Sequence, residues 1–383
     1  MPADRLVHLV DPAQWRAALA SGALRPPSLE SAGFVHLSTP DQVHLPAGFL
    51  YPGRRDMVLL VVDPARLTDP LRWEPGDPDD PAGMLFPHLY GPLPVTAVVA
   101  VVPYRPPTPF RLPAAGDVLG RALALSVSVP VRRAAEVGDV PGGVAVLDAR
   151  YPHSREDNRL LLTEPVDADT VERTTAEVSA AALLPHRSAA LRWPGADAVG
   201  RELAGRGWQV EALQVMALQL KAPQLKALQA NVRPAAPSGD GNRAEVVAQE
   251  EVHPLWNRSW RALLAGSGSD LDAVVGQLLA REHRNDRVVA VTDLAVREEG
   301  RVVAAAQLRI DGATAAVDSV LTDTAARGRG YGDALLAGAV DLAAEAGCDL
   351  VVLEAAADDW PREWYARRGF EVVGTVFEVV RPA

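Results

Sequence analysis

Three glycines within five residues, Gly328, Gly330 and Gly332, stand between the stretch Val317-Asp318-Ser319-Val320-Leu321-Thr322 and a helix expected from Asp333 to Ala346. Glycine leaves the backbone N–H groups of a helix N-terminus open, and that terminus carries about half a positive charge and several unpaired donors. A phosphate-bearing ligand is the natural partner. Arg327 and Arg329 add guanidinium forks whose geometry matches phosphate oxygens. Two carboxylates flank the loop, Asp318 on the strand before it and Glu354 on the strand expected after the helix, and either could take up a proton. Far upstream, His8, His36, Ser38 and His88 fall at strand or loop positions and could share a cleft. The imidazoles there would hold a ligand, bind a metal through neutral nitrogens, or each bond a nearby backbone group. The residues alone leave these three readings open.

The elements that must position the loop are a strand before it, with β-branched Val317, Val320 and Thr322, the helix after it, and a second strand over Leu350-Val351-Val352-Leu353-Glu354. The glycine spacing is Arg327-x-x-Gly330-x-Gly332. It is not the six-position dinucleotide fingerprint, and no Gly-Lys-Ser/Thr follows it. Beyond the second strand come Asp358-Asp359-Trp360-Pro361 and a short helix that ends in Tyr365-Ala366-Arg367-Arg368-Gly369-Phe370. This order, running from Arg243 to the C-terminus, resembles the GNAT superfamily of N-acetyltransferases.

The resemblance implies acetyl-CoA as the cofactor. It implies that the amides from Gly328 to Gly332, Tyr331 among them, take the diphosphate. Val320, Leu321 and Thr322 would lay backbone groups along the pantetheine arm and the acetyl carbonyl, where one amide facing the oxyanion contributes about 3 kcal/mol. Tyr365 sits where the family places its general acid, the group that protonates the leaving sulfur. Asp358 stands where the family often has Asn, and an ionised carboxylate only accepts hydrogen bonds. The base is either Asp318 or Glu354, working through water, and this acidic pair favours a cationic acceptor. Trp256, Trp260 and Trp360 are expected on the substrate wall, with Trp364 in the core.

The 383 residues suggest two or three domains, and the net charge of −11 argues against a nucleic-acid surface. No run of about 20 apolar residues suits a membrane span. The charged start does not read as a signal peptide, so the cytoplasm is the simplest location. Cys348 is the single cysteine, which rules out an intrachain disulfide, and it reads as a small buried apolar residue. Oligomeric state is not legible.

Residues 1–113 form a first unit. A strand over 6–10 leads to a helix that Asp11 caps and Pro12 opens. Apolar runs at Met57–Asp63 and Val95–Val102 read as central strands. His8, Trp15, Gly33-Phe34-Val35-His36-x-Ser38 and Phe86-Pro87-His88-x-Tyr90-Gly91 together resemble the domain of unknown function 952 family. That family's fold is similar to ADP-ribosyltransferases and RNA 2′-phosphotransferases, which implies a cleft for an NAD-like molecule. Pro103–Pro113 is a stiff linker.

A second unit, 117–230, closes with Ala204-Gly205-Arg206-Gly207-Trp208-Gln209-Val210-Glu211, which mirrors Ala366-Arg367-Arg368-Gly369-Phe370-Glu371-Val372-Val373. It reads as a degenerate copy of the acetyltransferase fold without an acetyl-CoA site. In it, Tyr151–Arg159 is a polar loop, either a solvated turn or the face of a cleft. Lys221–Asn242 reads as a second linker, and 240–383 is the transferase unit. The expected class is α/β (α+β): tandem GNAT-like mixed-sheet domains behind a small α+β ADP-ribosyltransferase-like domain. The expected activity is N-acetyl transfer to a small-molecule or peptide amine. The alternatives are a non-catalytic acyl-CoA/nucleotide-binding sensor, or an NAD-dependent or phosphotransferase-like activity in the N-terminal module.

Overall fold

The computed structural model describes residues 4–76, 83–220, 243–265 and 270–382. The expected second linker, Lys221–Asn242, lies outside them. The chain divides into two compact units, each described by itself.

The first unit comprises Met1–Arg132 with Arg287–Ala290 and Asp311–Thr314. Its elements are β1 (Leu6–Val10), α1 (Pro12–Ser21), β2 (Ala23–Leu24), α2 (Pro27–Ser31), β3 (Val35–His36), α3 (His44–Leu50), β4 (Met57–Val62), β5 (Leu71–Pro75), β6 (Leu85–Leu89), β7 (Leu93–Pro94), β8 (Val98–Tyr104) and α4 (Val118–Arg133), whose last residue belongs to the second unit. Three small sheets form, in the orders β1-β4-β8, β2-β7 and β3-β6-β5. Strand β4 is buried at every residue, as its unbroken apolar run requires. The later run starts its strand at Val98 because Val95–Ala97 winds into a 3-10 turn first. As expected, Asp11 caps α1, accepting from the Ala13 amide at 2.9 Å, with Pro12 in the first turn. Trp15 is fully buried and its indole N–H donates to Asp311 at 2.7 Å. Arg132 bonds the same carboxylate, whose pKa burial nonetheless raises.

The second unit holds one mixed sheet of eleven strands. They are β9 (Glu136–Val140), β10 (Gly143–Leu147), β11 (Arg159–Leu162), β12 (His186–Leu191), β13 (Gln209–Gln219), β14 (Glu245–Val247), β15 (Ala290–Glu298), β16 (Arg301–Asp311), β17 (Thr314–Thr322), β18 (Leu350–Ala356) and β19 (Glu371–Pro382). Helices α5 (Ala168–Ala181), α6 (Asp197–Gly205), α7 (Gln249–Leu263), α8 (Leu271–Glu282), α9 (Tyr331–Glu345) and α10 (Pro361–Ala366) cover it.

The sheet order is β14-β15-β16-β17-β18-β13-β19-β12-β11-β10-β9. Its centre departs from two self-contained copies. Strand β13 lies between β18 and β19, while β19 lies between β13 and β12. Each half has one long strand after its closing helix, so each completes its edge with the strand of the other. The two exchanged strands pair antiparallel from Gln209↔Val380 to Val215↔Gly374. These are the strands that open with the mirrored segments read from the sequence.

Successive residues of β16 point to opposite faces. Ala304, Ala306 and Leu308 meet Leu335, Leu336 and Ala339 of α9, and Cys348 joins that core. Ala305 meets Val252, Leu255 and Trp256 of α7 on the other face. Helix α7 begins at Gln249; the Glu251 carboxylate accepts from the Ala248 amide at 3.2 Å and fixes that start. The polar loop before β11 is anchored by its buried residues Ser154, Asp157 and Asn158, while His153 and Arg155 face solvent. Arg281 donates to Ser154 at 2.8 Å, and Arg284 to Asp157 at 2.9 Å, in buried surroundings.

Candidate functional site

Strand β17 does not run straight. Ser319 holds φ at +54, in the left-handed region a non-glycine residue rarely enters. Its amide donates to the neighbouring Asp318 carboxylate at 2.6 Å. A left-handed residue inside a strand redirects the peptide that follows, here the one leading to Val320. The chain then leaves the sheet through Asp323, which caps the 3-10 turn Thr324–Ala326. Gly328 and Gly330 hold φ of +78 and +82, positions that glycine occupies without cost.

Gly330 is the N-cap of α9, and no side chain caps that helix. The first intrahelical bond runs from the Ala334 amide to the Gly330 carbonyl. The amides of Tyr331, Gly332 and Asp333 therefore begin the helix as donors without an intrahelical acceptor. A β-carbon on Gly332 would come within 3.3 Å of the Trp364 indole. The residues present thus fit an anionic group at this terminus. The Tyr331 side chain lies in the core, so only its amide is available. Arg327 is exposed and reaches the Thr322 carbonyl at 3.4 Å. Arg329 pairs with Glu298, so part of its charge is already matched.

Tyr365 projects from α10 with only 8 % exposure, edge-on to Trp364 at 4.7 Å. Burial, and then the charge of Asp318, push its phenol up to about 12. Tyr365 and Asp318 therefore feel one another, and the phenol keeps its proton at neutral pH. Asp318 is half-exposed and receives Arg309 at 2.7 Å. Glu354 is placed differently. Arg192, buried on the neighbouring half of the sheet, donates to it at 2.7 Å and also to Glu378 at 2.5 Å. That pair holds Glu354 as the partner of a buried guanidinium. Asp358 is exposed, and its charge reaches Glu211, whose pKa burial already raises.

The three tryptophans expected on a substrate wall separate. Trp256 is 4 % exposed and packs in the core with Val252, Ala295 and Ala305, which corrects its assignment. Trp260 sits at the edge of the same cluster, beneath Arg281. Trp360 is 62 % exposed. Trp364, expected in the core, is half-buried and packs against it, and it also braces the loop: its indole N–H donates to Asp333 at 3.0 Å. Arg368 lies over its ring at 4.3 Å and pairs with the same Asp333. The spacing of Trp364 and Arg368, four residues apart across the end of α10, was the available signal.

In the first unit, three of the four expected cleft residues do come together. His8 Nδ1 lies 2.7 Å from the His36 carbonyl, and a carbonyl only accepts, so Nδ1 carries the proton. Burial lowers the pKa of His8 to about 4, leaving a neutral ring with a bare Nε2. Burial, then the nearby His88, also lowers the pKa of His36. His88 Nδ1 lies 3.0 Å from Glu74, and the Tyr90 hydroxyl donates to the same carboxylate at 2.8 Å. Those two bonds, His88's first, hold the Glu74 carboxyl below its usual range. Phe34 stacks on His88 at 3.9 Å. Ser38 instead pairs its backbone with Val7. Glu74 was missed in sequence; it lies on β5, which pairs with the β6 strand that carries His88. Among the described residues, no group of three or more His, Cys, Asp or Glu could hold a metal ion, and no helix is long and apolar enough to cross a membrane.

Residues 250–370 match the acetyltransferase (GNAT) family, and residues 9–101 match a family described as proteins of unknown function, DUF952. Among solved structures, the chain is similar to a GCN5-related N-acetyltransferase from Kribbella flavida at 22 % identity, covering 70 % of this chain and 97 % of that one, with a TM-score of 0.46. It is similar to a functionally unknown conserved protein from Staphylococcus epidermidis at 14 % identity, covering 64 % and 92 %, with a TM-score of 0.49. A protein from Caulobacter crescentus is 32 % identical over 26 % of this chain and 84 % of its own, with a TM-score of 0.24. No curated protein matches the chain.

Proposed function

We propose that this chain, which belongs over residues 250–370 to the acetyltransferase (GNAT) family and over residues 9–101 to the family of unknown function 952, transfers an acetyl group from acetyl-CoA to a primary amine of a small molecule or peptide. The observation that carries the reading is the uncapped start of α9 at Gly330, reached through a short glycine loop from a strand kinked at Ser319. Acetyl-CoA supplies the activated thioester. The amides that open α9 bind its diphosphate, with Arg327 adding charge, and the redirected peptide at Val320 donates to the carbonyl oxygen as negative charge builds there. Asp318 takes the ammonium proton through water, freeing the amine lone pair. As the new C–N bond forms and the C–S bond breaks, Tyr365 gives its proton to the departing sulfur. The high pKa of Tyr365 keeps that proton in place at neutral pH.

Calorimetry of the full chain with acetyl-CoA, followed by thiol release on a panel of amines, tests this. Saturable binding and amine-dependent thiol release are expected; no binding at high ligand concentration removes the reading. Binding without turnover on any amine would instead favour an acyl-CoA sensor.

A second reading for the N-terminal module is favoured by the Glu74–His88 pair, a carboxylate orienting an imidazole as in many acid–base centres. It assigns that module its own activity on an NAD-like molecule. NAD turnover by the full chain, lost in His36→Ala and kept in Gly330→Glu, is its test; no turnover removes it.

A further inference from the structure

Trp360 at the start of α10, Trp364 within it and Arg368 just beyond its end stack in one column, each against the next. The lower two members are used by the first turn of α9. Trp364 touches Gly332 and donates to Asp333, and Arg368 covers the outer side of Trp364 and pairs with Asp333. Trp360 is the open end of this column. Its ring stands edge-on to Trp364 with centroids 6.4 Å apart, and 62 % of the residue is exposed. Its backbone is fixed: the amide donates to Asp359 at 2.7 Å, and Pro361 follows at the helix start. An indole on a fixed backbone, left uncovered and linked through one neighbouring ring to the loop that opens α9, is an open stacking face. Scattered exposed apolar residues need no explanation, but this one is tied through Trp364 to the candidate diphosphate site.

We propose that Trp360 is the stacking platform for the adenine of the acyl donor, so that the site selects a nucleotide-bearing thioester over a bare phosphopantetheine thioester. The inference rests on the acetyltransferase reading above. It moves Trp360 from the acceptor side, where the sequence put it, to the donor side. A π-face suits any purine, and the flanking amides and Arg327 supply charge for phosphates on either side of the ribose.

The test uses the full chain and three probes: CoA, adenosine 3′,5′-bisphosphate, and S-acetyl phosphopantetheine, which has no adenosine. Trp360→Ala should weaken CoA and the bisphosphate by about tenfold, the effect of losing one base–aromatic stack, and leave S-acetyl phosphopantetheine unchanged. Trp360→Phe should restore most of the loss. Because Trp360 is exposed, an unaltered melting temperature is expected and guards against a folding artefact. The proposal is overturned if Trp360→Ala binds CoA like the wild type, if all three probes weaken equally, or if only the KM for the amine rises. The wild type failing to bind CoA at all is a different result, since it removes the acetyltransferase reading itself.

Discussion

The second unit contains two helices that follow a strand in the same way, and they begin in opposite chemical states. Helix α5 follows β11 and is capped by Asp167, whose carboxylate accepts from the Thr170 backbone at 2.8 Å. Helix α9 follows β17 and is capped by Gly330, with no side chain bonded to its first amides. One terminus has its donors answered by a fixed negative charge; the other offers them to a ligand. The strands before them differ likewise. Of the three non-glycine residues with left-handed φ among the described residues, Ser319 lies in β17 and none lies in β11. Where the later half presents Tyr365 before Gly369, the earlier half has Leu203, fully buried, before Gly207. The strand–helix order is thus kept in both halves, while the donors at one helix start are answered by Asp167 and those at the other stay open.

The contrast breaks most severely at Gly330. Gly330→Glu puts a carboxylate where Asp167 stands in the other half and forces a β-carbon onto φ +82. Acetyl-CoA affinity, read by calorimetry, is expected to fall about a hundredfold or more, since charge-assisted contacts are lost and repulsion replaces them. Gly330→Asn, which tolerates the left-handed region, should keep most of it. If Gly330→Glu binds normally, the open terminus is not the anion site.

Tyr365→Phe comes next. Loss of a general acid lowers kcat by about a hundredfold, with acetyl-CoA affinity within about twofold of wild type if the ring only donates a proton. The neutral phenol is the active form, so its contribution is whole below pH 10 and is lost as pH rises through about 12. Asp318→Asn removes a charge that raises that pKa, so the alkaline limb of the kcat profile should move to lower pH.

The two carboxylates separate in the third comparison. Asp318→Asn is expected to lower kcat about tenfold, the low end of general-base effects. Glu354→Gln should leave kcat within about twofold and instead lower stability by about 1–3 kcal/mol, because buried Arg192 keeps only Glu378 as an ionic partner. Chemical denaturation measures the second, steady-state kinetics the first. A large kcat loss in Glu354→Gln alone would exchange the two roles.

The sequence carried the loop, Tyr365 and the mirrored closing segments because these depend on local signals: glycines at fixed spacing, a helix-ending Tyr-x-x-x-Gly-Phe, a repeated helix–strand junction. It could not carry the strand exchange, because β13 and β19 have the same pattern whichever half they complete. It misplaced Trp256 since an indole on an amphipathic helix looks alike whether it faces a core or a cleft, and only Ala295 and Ala305 across from it decide. It left Asp318 and Glu354 tied because their ion partners are distant in sequence, Arg309 on β16 and Arg192 just past β12 in the other half. Glu74 escaped for the same reason: its bond to His88 follows from strand pairing rather than from spacing along the chain.

The smallest expected effect lies at the start of α5. Asp167→Ala deletes the cap of α5 and leaves its first amides to water. Caps of this kind stabilise modestly, and a drop in Tm of about 2–4 °C is expected. The exposed carboxyl of Asp167 has its pKa lowered by its bonds at Thr170, so the loss should be present at neutral pH and fade as pH falls through that lowered pKa, where the wild-type cap also weakens. No acetyl-CoA binding should appear at α5, since opening its amides supplies neither the left-handed glycines nor the kinked strand that precede α9. A second binding event in calorimetry of Asp167→Ala would mean that the cap alone had kept the two halves apart.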